Sequence, residues 1–140
     1  YSRPFRMAAA RQVAAVVDSI YNNVSAVAKI IVAGDFNDYS NSESIQLLCS
    51  KRMTEVSKEA KGCNGAKGTY RYQGLWGSLD HILVSRPLAD ILAECYVNDA
   101  EFLIERDDKY GGVKPRRNYL GPRYLNGFSD HLPLVARFKW

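Results

Sequence analysis

The apolar positions Met7, Ala10, Val13, Ala14, Val17, Ile20, Tyr21 and Val24 recur at steps of three and four, the stripe of an amphipathic helix. Pro4 suits the first turn of that helix, and Asn22-Asn23 supplies a plausible end. Residues 28–36 form a short β-branched apolar run closing on Gly34-Asp35, which predicts a buried strand that empties into a loop. Residues 42–50 predict a short helix, with Ser42 placed to cap it and Glu43 in its first turn. Residues 58–68 are rich in glycine and lysine and predict an exposed loop. Strand-like runs follow at 69–73, 79–85, 94–105 and 134–138. The last two are separated by residues 106–127, a loop rich in Gly, Pro, Arg and Tyr, and loops of that length are usually functional or disordered. One helix followed mostly by strands implies an α/β layered arrangement.

Composition changes this picture little. A chain of 140 residues, 46% hydrophobic and 24% charged, is one globular domain's worth. No apolar run approaches the length of a membrane span. The net charge of +4 favours anionic partners without proving one. Cys49, Cys63 and Cys95 form no CxxC pair and have no histidine at zinc-ligand spacing. Their odd number leaves at least one thiol free within the chain, and buried structural cysteines are the expectation. The chain begins without a methionine and moves at once into a helical pattern, which reads as the boundary of a larger protein.

Three segments carry candidate chemistry. In Gly34-Asp35-Phe36-Asn37, a strand delivers a carboxylate and an amide two residues apart, and an extended segment would put both on one face. Such a carboxylate can orient a water and such an amide can hold a phosphate oxygen, although a plain Asn/Asp turn has the same composition. In Leu79-Asp80-His81-Ile82, an acid sits inside an apolar strand and requires a partner, an imidazole being one answer and a Lys or Arg another. His81 would point away from Asp80 and is expected to be packed or solvent-facing rather than catalytic. In Ser129-Asp130-His131-Leu132-Pro133, a hard oxygen ligand stands beside a titratable base, and a polar loop before an edge strand is the blander alternative.

Taken together and in this order, Gly34-Asp35-Phe36-Asn37, Asp80, and Ser129-Asp130-His131 with Pro133 resemble the motifs of the endonuclease/exonuclease/phosphatase family of DNase I-like phosphoesterases. The resemblance implies an α/β fold, the C-terminal half of a four-layer α/β sandwich in which two face-to-face sheets are flanked by helices. It implies that Asp35 orients or deprotonates the attacking water, that Asn37 contacts the scissile phosphate, and that Asp80 holds His131. His131 would stabilise or protonate the phosphoryl oxygens, and Asp130 would help bind Mg2+ or Mn2+. The substrate would be a phosphate ester, with nucleic acid included. The same resemblance implies that the chain carries only about half of the family's domain. The missing N-terminal half would supply an Asn and a metal-binding Glu, since Glu43, Glu55 and Glu59 are expected at the surface. The isolated chain is therefore expected to hydrolyse nothing. A non-catalytic phosphate- or nucleic-acid-binding module that keeps the fold is the competing reading. In the 106–127 loop, Arg116, Arg117 and Arg123, interleaved with tyrosines, are candidate substrate contacts.

Overall fold

The structure is a computed structural model and describes residues 2–140. In chain order the elements are α1 (Arg3–Asn23), β1 (Ile31–Asp35), α2 (Glu43–Cys49), β2 (Met53–Glu55), β3 (Tyr70–Tyr72), β4 (Leu75–Gly77) and β5 (Asp80–Ser85). There follow α3 (Arg86–Ala89), β6 (Leu92–Val97), a 3-10 turn (Glu101–Leu103), β7 (Ile104–Arg106), β8 (Val113–Pro115), β9 (Tyr119–Leu120), β10 (Arg123–Tyr124) and β11 (Leu134–Phe138). Every strand pair is antiparallel.

Helix α1 buries Ala10, Ala14, Val17 and Tyr21, the stripe its spacing predicts. With Ile45 and Leu48 of α2, Ala14, Val17 and Tyr21 meet Met53 and Leu83 in the main core, so both helices cover one face of the sheet ordered β1-β5-β2. In the β1–β5 register Val32 opposes Leu83 and Gly34 opposes His81 on that helix-covered face. Ile31, Ala33 and Asp35 oppose Val84, Ile82 and Asp80 on the other. A second, smaller core of Ala60, Ala66, Val97 and Leu132 lies where β6 and β11 pair. Burying these two clusters is what brings residue 132, next to His131, against the sheet.

Several expectations from the sequence are corrected. The 28–36 run forms its strand, but β1 is not buried: Ile31 is 54% exposed, and Ala33, Gly34 and Asp35 are exposed as well. It is an edge strand, and among the described residues nothing pairs with its second edge. The 58–68 segment is irregular as predicted, yet Ala60 and Ala66 are buried. Its anchor is the buried Asp99 carboxylate, which accepts the backbone N–H groups of Cys63, Asn64 and Ala66 at 3.0, 2.7 and 3.0 Å. Gly62 permits this approach, because a Cβ there would fall 2.1 Å from the carboxyl group of Asp99. That buried turn also breaks the predicted 94–105 strand into β6, the 3-10 turn and β7.

The 106–127 loop is not structureless but folds into the short pairs β7–β8 and β9–β10. Arg71 on β3 pins it, donating to the carbonyls of Gly111 and Val113 and facing Asp107 at 3.4 Å. All three cysteines are free. Cys49 and Cys95 are half-buried, with burial pushing both thiols up, whereas Cys63 is exposed, contrary to the expectation of a buried one. No helix among the described residues is long and apolar enough to cross a membrane.

Leu83 is fully buried between the helices and the sheet. Leu83→Ala is expected to lower unfolding free energy by about 2–5 kcal/mol in urea titration, against ~0.5 kcal/mol or less for the exposed Val27→Ala; equal effects would contradict this core assignment.

Candidate active site

Asp35 and Asp80 sit directly opposite each other at the end of the β1–β5 pair, on the face turned away from the helices. Residues facing each other across an antiparallel pair stand about 5 Å apart, and like charges there repel. The relief comes from His131. Its ring Nδ1 lies 2.8 Å from Asp80 Oδ2, and one ligand-type atom from each of Asp35, Asp80 and His131 lies within 4.8 Å of the others. The three share a crevice of about 380 Å³ with Ala33, Ile82, Ser129 and Leu132 to Leu134. At 2.8 Å the Asp80–His131 contact is a hydrogen bond, and an Nδ1 that donates to Asp80 cannot also ligate a metal. The triplet is therefore an Asp–His pair set beside a second carboxylate.

The loop bearing His131 is fixed from several sides. The backbone N–H of His131 donates to Ser129 Oγ at 3.1 Å, and that of Leu132 to the Thr69 carbonyl at 2.7 Å. The N–H of Phe128 donates to the Arg116 carbonyl at 2.7 Å. Gly127 makes that approach possible, since a Cβ at this position would lie 2.3–2.4 Å from the carbonyl oxygens of Arg116 and Arg117.

Asn37 does not line this crevice, and the extended face its spacing predicts is not formed. The strand ends at Asp35, and Asn37 adopts a left-handed backbone (φ 48°), so the two residues do not share an extended face. They are joined instead by a tight turn in which the Asn37 N–H donates to Asp35 Oδ1 at 2.8 Å. Asp35 and Asn37 then line a second groove of about 410 Å³ against Phe5, Arg6 and Val13 of α1.

The turn is clamped from beneath by residues the sequence reading left out of the site. His81 is 1% exposed. Its Nδ1 lies 2.7 Å from Glu55 Oε1 and its Nε2 lies 2.7 Å from the Asp38 carbonyl oxygen. With Glu55 ionised both partners only accept, so the ring donates from both nitrogens and is the cation. Burial opposes that charge, but the hydrogen bonds to Glu55 and the Asp38 carbonyl, with the Glu55 charge, outweigh it and raise the His81 pKa. For Glu55 burial acts upward, and the hydrogen bonds from His81 and Ser40 bring its pKa down overall. The Asp38 carboxylate in turn accepts Ser44 Oγ at 2.6 Å and Arg6 Nε at 3.0 Å. Glu55 is thus not the surface residue expected of it: its side chain is 5% exposed. Its signal was hidden because β2 has only three residues, too few for alternation to show. Glu43 and Glu59 are exposed as expected.

The remaining predicted residues lie outside the triplet. Asp130 is exposed on the loop beside His131 and does not join the group. Arg116 and Arg123 are exposed, and Arg117 lines a separate groove with Arg71 and Lys114. None of the three arginines lines the crevice.

The crevice thus holds an Asp–His pair with a second carboxylate at the end of an antiparallel sheet. The chain belongs to the endonuclease/exonuclease/phosphatase family, whose sequence profile matches residues 1–139. Among solved structures it is similar to an endonuclease/exonuclease/phosphatase family protein from Bacteroides thetaiotaomicron, with TM-score 0.62 and 18% identity over 96% of this chain and 45% of that one. It is similar to a mannosyl-6-phosphatase from Bacteroides thetaiotaomicron VPI-5482, with TM-score 0.62 and 17% identity over 99% and 47% of the two chains. An AP endonuclease from Archaeoglobus fulgidus gives TM-score 0.57 and 18% identity over 96% and 55%. No curated protein matches the chain by sequence. The fold is accordingly DNase I-like, and the chain spans about half the length of the solved structures it matches.

The His81–Glu55 pair has a worked-out pH signature. A raised His81 pKa contributes stability that is full below the ordinary value of 6.5 and is lost as pH rises through the folded value. A lowered Glu55 pKa contributes stability that is full above 4.5 and is lost as pH falls through its folded value. Glu55→Ala, which strands a buried imidazole, is expected to cost about 3–5 kcal/mol, the gap from wild type being widest between these two values. Urea titrations across pH check this, and a gap that widens steadily into alkali would contradict it.

Proposed function

We propose that this chain is the C-terminal part of a divalent-metal-dependent phosphoester hydrolase, with Asp35, Asn37, Asp80 and His131 as its catalytic groups. The observation that carries the reading is the Asp80–His131 hydrogen bond at 2.8 Å with Asp35 set opposite across the strand pair. With Nδ1–H committed to Asp80, the His131 Nε2 is the atom left to meet a phosphoryl oxygen, donating to it from the protonated ring. Asp80 holds the ring in that tautomer and stabilises it when charged, as in other carboxylate–imidazole pairs. Asp35 takes or orients the proton of the attacking water, and Asn37, on its constrained turn, donates its amide to a non-bridging oxygen.

The donor types fit a hard divalent cation, since Asp35 at the crevice and Asp130 on the exposed loop next to His131 carry carboxylate oxygens, the ligands that Mg2+ or Mn2+ prefers. When bound, such an ion clamps phosphoryl oxygens and lowers the pKa of bound water. Asp130 is the residue of this chain assigned to hold it. Further ligands and the second edge of β1 are assigned to the missing N-terminal half, in keeping with the exposed Ile31–Ala33 face and with neighbours about twice as long. The substrate is a phosphate ester. Two of the neighbours are a mannosyl-6-phosphatase and an AP endonuclease, and Arg116, Arg117 and Arg123, which lie outside the crevice, are the cations assigned to an anionic chain beyond the reacting phosphate.

In the complete enzyme, His131→Ala is expected to lower kcat on bis-para-nitrophenyl phosphate by about a hundred- to ten-thousand-fold with Mg2+. Activity within about tenfold of wild type would overturn the assignment. The 140-residue chain alone is expected to release no para-nitrophenol; metal-dependent turnover by it would show that the site needs no second half.

A further inference from the structure

We propose that Thr69 and Tyr70 are positioning residues for the Asp80–His131 pair, fixing the carboxylate and the imidazole from one two-residue segment at the start of β3. The inference rests on the phosphoesterase reading above and adds to it the groups that set the geometry of its histidine.

Three contacts converge on this segment. The Thr69 hydroxyl donates to Asp80 Oδ2 at 2.5 Å, the same oxygen that accepts His131 Nδ1–H. Thr69 is fully buried, so no water competes for its single proton, and its acceptor is charged. A carboxylate oxygen held by two donors from separate segments of the chain is restrained from rotating away from either. Tyr70 pairs with His131 in an isolated antiparallel bridge, and the two rings lie 4.9 Å apart, tilted by 37°. The phenol ring therefore covers one face of the imidazole and limits its swing about the Asp80 bond. The Thr69 carbonyl completes the clamp by accepting the Leu132 N–H at 2.7 Å, which seats the backbone of the His131 loop.

A threonine serving only the core would give its proton to a nearby carbonyl. This one gives it to the carboxylate that orients the His131 ring. The consequence is a His131 locked as the Nδ1–H tautomer with Nε2 open to the crevice. Outer partners of this kind typically change rate rather than substrate affinity.

The test uses two readouts. In the 15N-labelled chain, which holds only two histidines, long-range 1H–15N correlation in alkaline buffer reports the tautomer of each ring. Wild type is expected to show His131 as Nδ1–H alone. Thr69→Val removes the hydroxyl at nearly constant shape and is expected to give mixed tautomers, while Thr69→Ser restores the single one. In the complete enzyme, Thr69→Val is expected to lower kcat about ten- to a hundredfold with KM within about twofold, and Thr69→Ser to recover to within about threefold. Tyr70→Phe keeps the ring and is expected to match wild type, whereas Tyr70→Ala lowers kcat. A folded Thr69→Val that keeps the single tautomer, or a Thr69→Ser as impaired as Thr69→Val, would overturn the proposal. A complete wild-type enzyme without turnover would sink the phosphoesterase reading, and the tautomer comparison would still decide the positioning.

Discussion

The rest of the site depends on two carboxylates facing each other at the end of one antiparallel strand pair. Asp35 on β1 and Asp80 on β5 are brought opposite by a register fixed elsewhere, by Val32 and Leu83 entering the core under the helices. A slip of β5 by one residue would send Leu83 into the crevice and Asp80 into the core, exposing an apolar side chain and burying a charge. The apolar face thus sets the position of the polar one. Two like charges in such proximity then need a proton, a cation or a donor, and His131 is the donor the fold supplies.

A second imidazole does the corresponding work beneath the strand. Adjacent residues on β5 face opposite ways, so Asp80 enters the crevice while His81 enters the helix side. There His81 joins Glu55 to the carbonyl of Asp38 and so holds the turn that presents Asn37. Arg6 and Ser44 grip the side chain of that same Asp38 from α1 and α2. One dipeptide, Asp80-His81, therefore holds the His131 ring on one face and the Asn37 turn on the other.

Much of this was legible in the sequence, and the parts that were not have physical causes. The α1 stripe and the β5 run were visible because each is long enough to show its period. The order of Asp35, Asn37, Asp80 and His131 made them one candidate site, and the structure brings Asp35, Asp80 and His131 of these into one crevice. The exposure of β1 was not legible, because a β-branched run looks the same in the middle of a sheet as at its open edge. Glu55 was misplaced because its strand is three residues long, and the geometry of Asn37 because a left-handed turn replaces the extended segment its spacing suggested. Thr69 and Tyr70 read as ordinary alternating strand residues; their partners lie eleven and more than sixty positions away, beyond the reach of any local pattern.

The central claim is that Asp80 acts through His131 as a single unit in phosphoester hydrolysis. A double-mutant cycle in the complete enzyme tests it most directly, comparing kcat for Asp80→Ala, His131→Ala and the double variant on bis-para-nitrophenyl phosphate with Mg2+. The account predicts that the double variant loses no more than the worse single variant, because removing either partner already disables the pair. Losses that multiply, each residue contributing independently, would contradict it.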